Sequence, residues 1–283
     1  MAVDYFHSVA GHIVQDVSGT VEVRTDAAAV SHEFSRYERL TGPEAIEALY
    51  QDPESESIRG AMLYKMFSRV VEYGEAYRGL KSVAAKSGRI AGTVVSVPRA
   101  DGDQSITRPP TLDSFMQVSG IHANSIYPCA DNEVYVFTKL DRLQFGPGFE
   151  RDSATKRSTS SWLIFSNLAA SGSKELTNDI FVFDSISKRL VVLILGARFN
   201  NVRLSSLSKV LSKVNGPTNE SIKSQTTLFL NASIKKHPNT SAGEERNNAW
   251  VVELSLDNFQ YMDEECGPLD FSKLSLEDKP RKQ

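Results

Sequence analysis

Cysteine is scarce in this chain of 283 residues, and the two that occur, Cys129 and Cys266, lie far apart without the spacing of a metal site. Such usage indicates a reduced, intracellular chain rather than a disulfide framework. No apolar run is long enough to span a bilayer, and the start, MAVDYFHSVAGHIVQD, carries Asp4 and lacks the basic-then-apolar pattern of a secretory signal. We therefore predict a cytoplasmic protein that does not insert into a membrane.

An excess of basic residues is also missing. Lys and Arg number 32 against 35 Asp and Glu, and the basic residues are scattered, which argues against a nucleic acid partner. No P-loop, G-x-S-x-G elbow, H-E-x-x-H or paired C-x-x-C occurs, so we expect neither a metal nor a cofactor. With 40% hydrophobic residues, the chain suits one or two globular domains with a sizeable core.

The most informative stretch is PPTLDSFMQVSGIHANSIY, residues 109–127. Pro109 and Pro110 predict a helix that begins just after them, with Thr111 as its N-cap and Asp113 in its first turn. The residues that follow are apolar or small on nearly every side, which is typical of a helix enclosed by protein. Asp113 would then lie at the edge of a dry cavity, either as a proton-transfer group with a tuned pKa or simply as a cap.

Strand patterns surround this helix. Residues 3–9 and 19–24 alternate and are expected to form a hairpin, whereas 33–50 and 58–72 have helical patterns. The expected strands of the main sheet are two within 79–97, joined by a turn at 86–88, and then 133–140, 160–170, 176–184 and 189–199. Their apolar composition suits a sheet buried on one face, and 204–214 is expected to be a short amphipathic helix.

This order predicts an α+β hot-dog fold, an antiparallel sheet wrapped around one central helix, because the apolar helix needs a sheet to enclose it. We assign residues 1–57 to the remnant of a preceding hot-dog with a linker helix, and 58–215 to one complete hot-dog. Residues 216–283 are polar, and this composition predicts a poorly ordered tail with one strand at 250–256.

Several blocks carry a resemblance to a known family. YKMFSRVVEYGEAYRGLKSV at 64–83, LDSFMQVSGIHAN at 112–124, DIFVFD at 179–184 and LVVLILGARFNNV at 190–202 occur in the order found in product template domains. Those domains belong to fungal non-reducing polyketide synthases and are double hot-dogs related to dehydratase domains. The chain resembles their second half, with most of the first half absent.

The resemblance implies a cavity that directs aldol cyclisation and water loss of a poly-β-ketone carried by an acyl carrier protein, among the other domains of a synthase. The catalytic aspartate of the family falls on Asp113. Gln117, Asn124 and Thr138 fall on positions implied to contact substrate, Thr138 through a hydroxyl near the reacting carbonyl.

The family's catalytic histidine lies in an H-x-x-x-G-x-x-x-x-P motif that is not found here. His7 and Gly11 give only its first part, and His7 is expected in a strand. His12 and His32 are expected at loops or helix starts, and His122 as a satisfied or surface residue of the helix. Without a base, the acid alone does not complete the aldol chemistry.

Three functions remain open: part of a polyketide cyclase, a catalytically inactive module that binds a polyketide or carrier protein, and a truncated remnant. A lone hot-dog has an unpaired sheet edge, so we also expect a homodimer. A fourth interpretation, Ser114 as a phosphopantetheine attachment site at a helix start, conflicts with the surrounding strands, since carrier domains are helical bundles.

Overall fold

The computed structural model describes residues 2–9, 12–20, 22–24, 26–68, 71–96, 109–146, 149, 160–172, 174–214, 249–252, 262–263 and 267–268. Its helices are α1 Ala27–Thr41, α2 Pro43–Gln51, α3 Ala61–Phe67, α4 Pro109–Ile121 and α5 Leu204–Val214. Its strands are β1 Ala2–Val9, β2 His12–Thr20, β3 Glu22–Arg24, β4 Glu56–Arg59, β5 Leu80–Lys86, β6 Arg89–Val95, β7 Glu133–Lys139, β8 Arg142–Phe145, β9 Ser161–Ala170, β10 Glu175–Asp184, β11 Leu190–Arg203, β12 Ala249–Val252, β13 Met262–Asp263 and β14 Gly267–Pro268.

The main sheet is antiparallel, in the order β3-β12-β8-β11-β10-β9-β6-β5-β4. Strand β11 is long enough, at 14 residues, to pair with β8 along its first half and with β7 along its second half. Gly196, with φ at +64°, lies between the two pairings, and only glycine adopts that backbone readily. The sheet therefore has a local irregularity where β7 gives way to β8.

Helix α4 is enclosed by the sheet. Its buried positions point in every direction around the helix axis: Thr111, Leu112, Ser114, Phe115, Gln117, Val118, Ser119 and Ile121. Phe115, Val118 and Ile121 are fully buried and belong to a large apolar cluster with side chains of β5–β11. Gly92 of β6 lets the helix approach closely, because a Cβ there would lie 2.7 Å from a Val118 methyl group. This is the predicted hot-dog arrangement, and the α+β fold class is confirmed.

The outer face of the same sheet is also covered. Helices α1 and α2 place Val30, Phe34, Ile46 and Leu49 in a second buried cluster with outward-facing strand residues such as Phe181. Burial on one face only was therefore a wrong expectation. Nearly continuous burial along β10 and β11 explains why DIFVFD and LVVLILG read as unbroken apolar runs rather than alternating ones.

Several predicted elements agree with the structure. The strands expected within 79–97 are β5 and β6, joined at Ser87 and Gly88, both with positive φ as a tight hairpin turn requires. The strands at 133–140, 160–170, 176–184 and 189–199 correspond to β7, β9, β10 and β11, and the helix at 204–214 is α5. Strand β12 overlaps the one expected in the tail.

Other elements differ. β1 pairs with β2, residues 12–20, rather than with 19–24, and β3 pairs instead with β12. The helix expected over 33–50 is two helices, because Gly42 and Pro43 interrupt it. The helix expected over 58–72 is β4 followed by the short α3, and β8 was missed.

The start of α4 also differs from the prediction. The helix begins at Pro109 itself, where a missing N–H costs nothing, so Thr111 is a buried helical residue and not the N-cap. Asp113 consequently lies just beyond the first turn.

The domain boundaries stay predictions. Strand β4 crosses the expected boundary between residues 57 and 58, and β12 places four residues of the expected tail in the main sheet. Most of 216–283 lies outside the described residues. Among the helices of the described part, none is long and apolar enough to cross a membrane.

Candidate functional site

Asp113 and Gln117 lie one turn apart on α4 and are joined by a hydrogen bond. The Gln117 amide donates from Nε2 to Oδ2 of Asp113 at 2.7 Å. Side chains four residues apart face the same side of a helix, so the spacing of the motif itself brings the two groups together. The two residues are therefore in direct contact, with Gln117 buried and Asp113 partly exposed, and their expected roles stay predictions.

The orientation of the Gln117 amide is fixed by two further contacts. Its Nε2 also donates to the Tyr77 carbonyl at 2.8 Å, so both hydrogens of that nitrogen have acceptors. The Tyr64 hydroxyl lies 3.2 Å from Oε1 of Gln117, and it accepts the Leu80 N–H at 2.9 Å. Because the carbonyl end faces a hydroxyl and the nitrogen end faces acceptors, the amide presents a donor to Asp113.

Burial changes the proton affinity of this group of side chains. Desolvation raises the pKa of Asp113 to about 6, and the Gln117 hydrogen bond opposes that rise. Burial likewise raises the pKa of Tyr64 to about 12, with the Asp113 charge contributing. The pKa of Tyr73 is raised by burial and then by the charge of Asp113. Burial thus raises the pKa of Asp113 toward the neutral range and also raises the pKa values of two tyrosines that feel its charge.

No histidine among the described side chains contacts Asp113. His122 is near the other end of the helix, at the start of a π-helical turn, His122–Ile126. It is buried, its Nδ1 has no hydrogen-bond partner within the described residues, and burial lowers its pKa to about 4. The expectation of a satisfied or surface residue was therefore wrong. His7 lies in β1 as expected, His12 lies in β2 rather than a loop, and His32 is an exposed residue of α1.

Asn124 and Thr138 lie away from this pair. The Asn124 side chain binds the Tyr135 backbone in both directions, accepting its N–H at 2.7 Å and donating to its carbonyl at 3.0 Å. It thereby joins the π-helical turn to β7 as a neighbouring strand would. The Thr138 hydroxyl donates to the Arg198 carbonyl at 3.4 Å. Both contacts are with the backbone, and the expected roles in substrate binding stay predictions.

Ser114 is fully buried, and its hydroxyl donates to the Pro110 carbonyl at 2.8 Å. A Cβ added to Gly79 would lie 2.5 Å from that hydroxyl oxygen, so the backbone just before β5 lies directly against the helix here. An enzyme that attaches phosphopantetheine needs an accessible serine. The carrier-protein interpretation is therefore wrong.

A cavity of about 460 Å³ is lined in part by Tyr64, the residue whose hydroxyl contacts Gln117. Its lining includes the two tyrosines, three cations and one acid: Tyr64, Tyr73, Lys65, Arg78, Lys81 and Glu72. The Arg78 guanidinium stacks over the Tyr64 ring, 5.7 Å from its centroid, and Arg78 Nε donates to the Tyr73 carbonyl at 2.8 Å.

Residues 44–209 match a family model described as "Polyketide synthase dehydratase N-terminal domain". This chain belongs to the polyketide synthase dehydratase family. The match begins in α2 and ends in α5, so it includes α4, the Asp113–Gln117 pair and the segment that carries Tyr64, Tyr73 and Arg78.

Its relatives are fungal non-reducing synthases, and the matched region is their product template domain, which confirms the resemblance. The methylphloroacetophenone synthase of Cladonia uncialis is 40% identical over 188 residues, 65% of this chain and 7% of that protein. The non-reducing polyketide synthase pkbA of Emericella nidulans is 38% identical, over 70% of this chain and 8% of that protein. The 5-methylorsellinic acid synthase of Aspergillus terreus is 35% identical, over 74% and 8%. The chain thus spans 7–8% of the length of these relatives.

Similarity to solved structures is more distant. A dehydratase domain of a trans-AT polyketide synthase from Brevibacillus brevis is 12% identical, over 71% of this chain and 65% of that one, with a TM-score of 0.47. The dehydratase domain of the CurF module of curacin polyketide synthase is 14% identical, over 71% and 64%, with a TM-score of 0.45.

No pattern in the sequence singled out Tyr64 as a functional residue. Its contact with Gln117 joins residues 53 positions apart and depends on α3 packing beside α4. Three tyrosines within fourteen positions, Tyr64, Tyr73 and Tyr77, were the available signal. Tyr73 packs edge-on against Phe67, with the two ring centroids 5.1 Å apart. Among the described residues, no cluster of three potential metal ligands occurs.

Proposed function

We propose that the chain is a product-template-like domain of fungal aromatic polyketide biosynthesis that directs aldol cyclisation and water loss of a carrier-bound poly-β-ketone. One observation carries the proposal: a desolvated carboxyl group, Asp113, with a pKa of about 6, held by Gln117 in the helix that the sheet encloses. The partner is then an acyl carrier protein, together with the other domains of a synthase, in the cytoplasm.

Asp113 supplies the proton transfer in this proposal. A carboxyl group with a pKa near the working pH exists in both protonation states and so can donate a proton to an alkoxide and recover it. Gln117 occupies Oδ2, which leaves Oδ1 for the substrate. In the family a histidine removes the methylene proton and acts together with the aspartate. No described histidine contacts Asp113, so this base would have to come from other residues.

A second candidate has support in the same geometry. No described histidine lies against Asp113, which favours a module that binds a polyketide or a carrier protein without cyclising it. The third possibility is a truncated remnant, which would be supported if the chain fails to fold by itself. The buried clusters on both faces of the sheet argue for autonomous folding.

The test is cyclisation of a poly-β-ketone thioester on an acyl carrier protein, followed by product mass and absorbance. Asp113→Asn is expected to abolish cyclisation while retaining ligand binding, because the amide preserves shape and loses the exchangeable proton. Glu47→Gln, at an exposed position of α2, is the control. Binding without any turnover by the unmodified chain favours the binding module, and equal turnover by Asp113→Asn removes Asp113 from the mechanism.

The domain boundaries and the expected homodimer belong to the same proposal. We place the remnant of a first hot-dog in residues 1–57, the hot-dog in 58–215 and a polar tail in 216–283. Strand β4 pairs only with β5 among the described strands, so one edge of the main sheet is open to pairing. A dimer is expected by light scattering after size exclusion, and a monomer across the micromolar range contradicts it.

A further inference from the structure

Strand β12 lies in the main sheet between two strands from distant parts of the chain. It pairs on one side with β3 and on the other side with β8, antiparallel in both cases. Neighbouring strands of a sheet lie about 4.8 Å apart, so β3 and β8 are about 10 Å apart and leave room for one strand. We call the space between β3 and β8 the strand slot.

The two walls of the strand slot are joined to each other without β12. The carboxylate of Glu33, in α1, accepts a hydrogen bond from Arg24 of β3 at 3.1 Å and from Arg142 of β8 at 2.8 Å. Gln144 of β8 donates to the same carboxylate at 3.3 Å. The bonds to the two arginines are charge-assisted and are therefore the stronger ones. Because one side chain of α1 binds both walls, α1 contributes to the width of the slot independently of β12.

Strand β12 itself is held by few backbone pairs. It has four residues, of which three are in register with β3 and two with β8. On the other side of β8, four residues of β11 are in register with it, and β11 continues into its pairing with β7. A short strand with few pairs opens at a lower free energy than the strands beside it. We therefore expect β12 to leave the slot while β8 and β11 stay paired.

The connection to β12 is long enough to reach another molecule. Residues 215–248 join the end of α5 to the start of β12. An extended chain covers at most about 3.5 Å per residue, so this connection reaches up to about 110 Å. A β12 segment from one molecule can therefore enter the slot of another. The segment and the slot are the same in both cases, so the backbone hydrogen bonds are the same.

We propose that the strand slot is a strand-acceptor site whose partner is the β12 segment of a second copy of this chain. Two copies then exchange β12, and each slot stays filled. The chain's own β12 competes at an effective concentration on the order of 1 mM. The exchanged dimer is thus a minor species at micromolar concentration and increases with protein concentration. Its interface is distinct from the β4 edge, which lies at the opposite end of the sheet.

The first test asks whether the slot accepts a strand from outside the chain. A fluorescent peptide of residues 247–254, NNAWVVEL, is titrated into the full chain with Val251→Pro and into the unmodified chain, with anisotropy as the readout. Proline between two strands removes a backbone N–H, so this variant is expected to release its own β12. We expect the variant to bind the peptide about tenfold more tightly than the unmodified chain, where β12 competes.

Two matched controls accompany this titration. A peptide that carries the same Val251→Pro substitution is expected to bind neither chain, because it cannot complete the pairing. A chain with Ala242→Pro, outside β12, is expected to bind the peptide as weakly as the unmodified chain does. Equal binding of NNAWVVEL by the Val251→Pro and unmodified chains, or binding by neither, overturns the acceptor site.

The second test detects exchange between copies and does not depend on the folding of Val251→Pro. A chain with Val23→Cys is mixed with a chain with Trp250→Cys and oxidised with glutathione disulfide. The two positions are register partners across β3 and β12, close enough for a disulfide. A disulfide-linked dimer of the two different chains is expected, in an amount that rises with protein concentration.

The control for this experiment replaces Trp250→Cys by Ala242→Cys. It is expected to give no more linked dimer than the unmodified chain, which contains Cys129 and Cys266. As much linked dimer with Ala242→Cys as with Trp250→Cys refutes the exchange, since it means random collision. Absence of the mixed dimer at every concentration also refutes it.

Discussion

An ionised Asp113 lowers the free energy of unfolding, and the size of this effect depends on pH. Burial raises the pKa of Asp113 from 3.8 to about 6, a difference worth about 3 kcal/mol. A carboxyl group whose pKa is raised by folding binds its proton more tightly in the folded state. Stability from this group is therefore present below pH 4 and is lost as the pH rises to about 6.

Asp113→Asn removes that cost. The variant is expected to have a free energy of unfolding about 2–3 kcal/mol higher than the unmodified chain at pH 7.5, with little gain at pH 3.5, where Asp113 is mostly protonated in both states. Urea denaturation followed by circular dichroism across this range provides the measurement. Glu47→Gln serves as the control, and we expect it to change the free energy of unfolding by the same small amount at every pH.

A gain of equal size at pH 3.5 and 7.5 refutes the reasoning, because a shape effect of the amide has no pH dependence. A loss at pH 7.5 also refutes it, since it means that the charged carboxylate is stabilised by its surroundings. Either result removes the argument that α4 holds a desolvated acid.

Three further predictions concern residues that follow α4 in the chain or pack against it. Burial lowers the pKa of His122 from 6.5 to about 4, so its contribution to stability is lost as the pH falls between those values; His122→Gln is expected to flatten this loss in urea titrations, and an unchanged slope contradicts it. Asn124→Ala is expected to cost about 1–3 kcal/mol, since it leaves the Tyr135 N–H without its partner, and an unaltered denaturation midpoint argues against the contact. Gly79→Ala is expected to cost about 1–3 kcal/mol, because the new methyl group meets Ser114; a parallel Gly74→Ala control has open space.

Burial raises the pKa of Asp113 and lowers the pKa of His122, so the two groups change the stability of the unmodified chain in opposite directions with pH. Between pH 4 and 6 the acid makes stability fall with rising pH while the imidazole makes it rise, each by a similar amount. The two contributions therefore offset one another over this range, and substituting either residue is expected to expose the slope that the other contributes. The profile of either variant is thus more informative than that of the unmodified chain.

Much of the fold followed from local patterns. The strands β5, β6, β9, β10 and β11 are long apolar runs bounded by turns, and α4 is apolar all round, so the only economical arrangement was a sheet around a helix. Asp113 was selected from its place near the start of an enclosed helix and Gln117 from the family resemblance, and their spacing of four residues is what brings them together in α4.

What could not be predicted depended on tertiary contacts. Strand β8 has four residues, and it is a strand because β11 and β12 flank it rather than because RLQF favours extension. The segment that became β4 and α3 has an apolar spacing that suits one long helix, and Gly60, with φ at +62°, separates the two elements. Tyr64 and the three cations of the cavity gather from separate segments, so no spacing rule indicates them.

Apolar side chains pack on both faces of the sheet, and they form two separate buried clusters. Helices α1 and α2 secure the outer face with their own cluster, which shares strands but not side chains with the cluster around α4. Residues that line the concave side can therefore be exchanged while the outer layer continues to hold the strands in register. Such a scaffold permits differently shaped interiors around α4 while the outer surface stays the same.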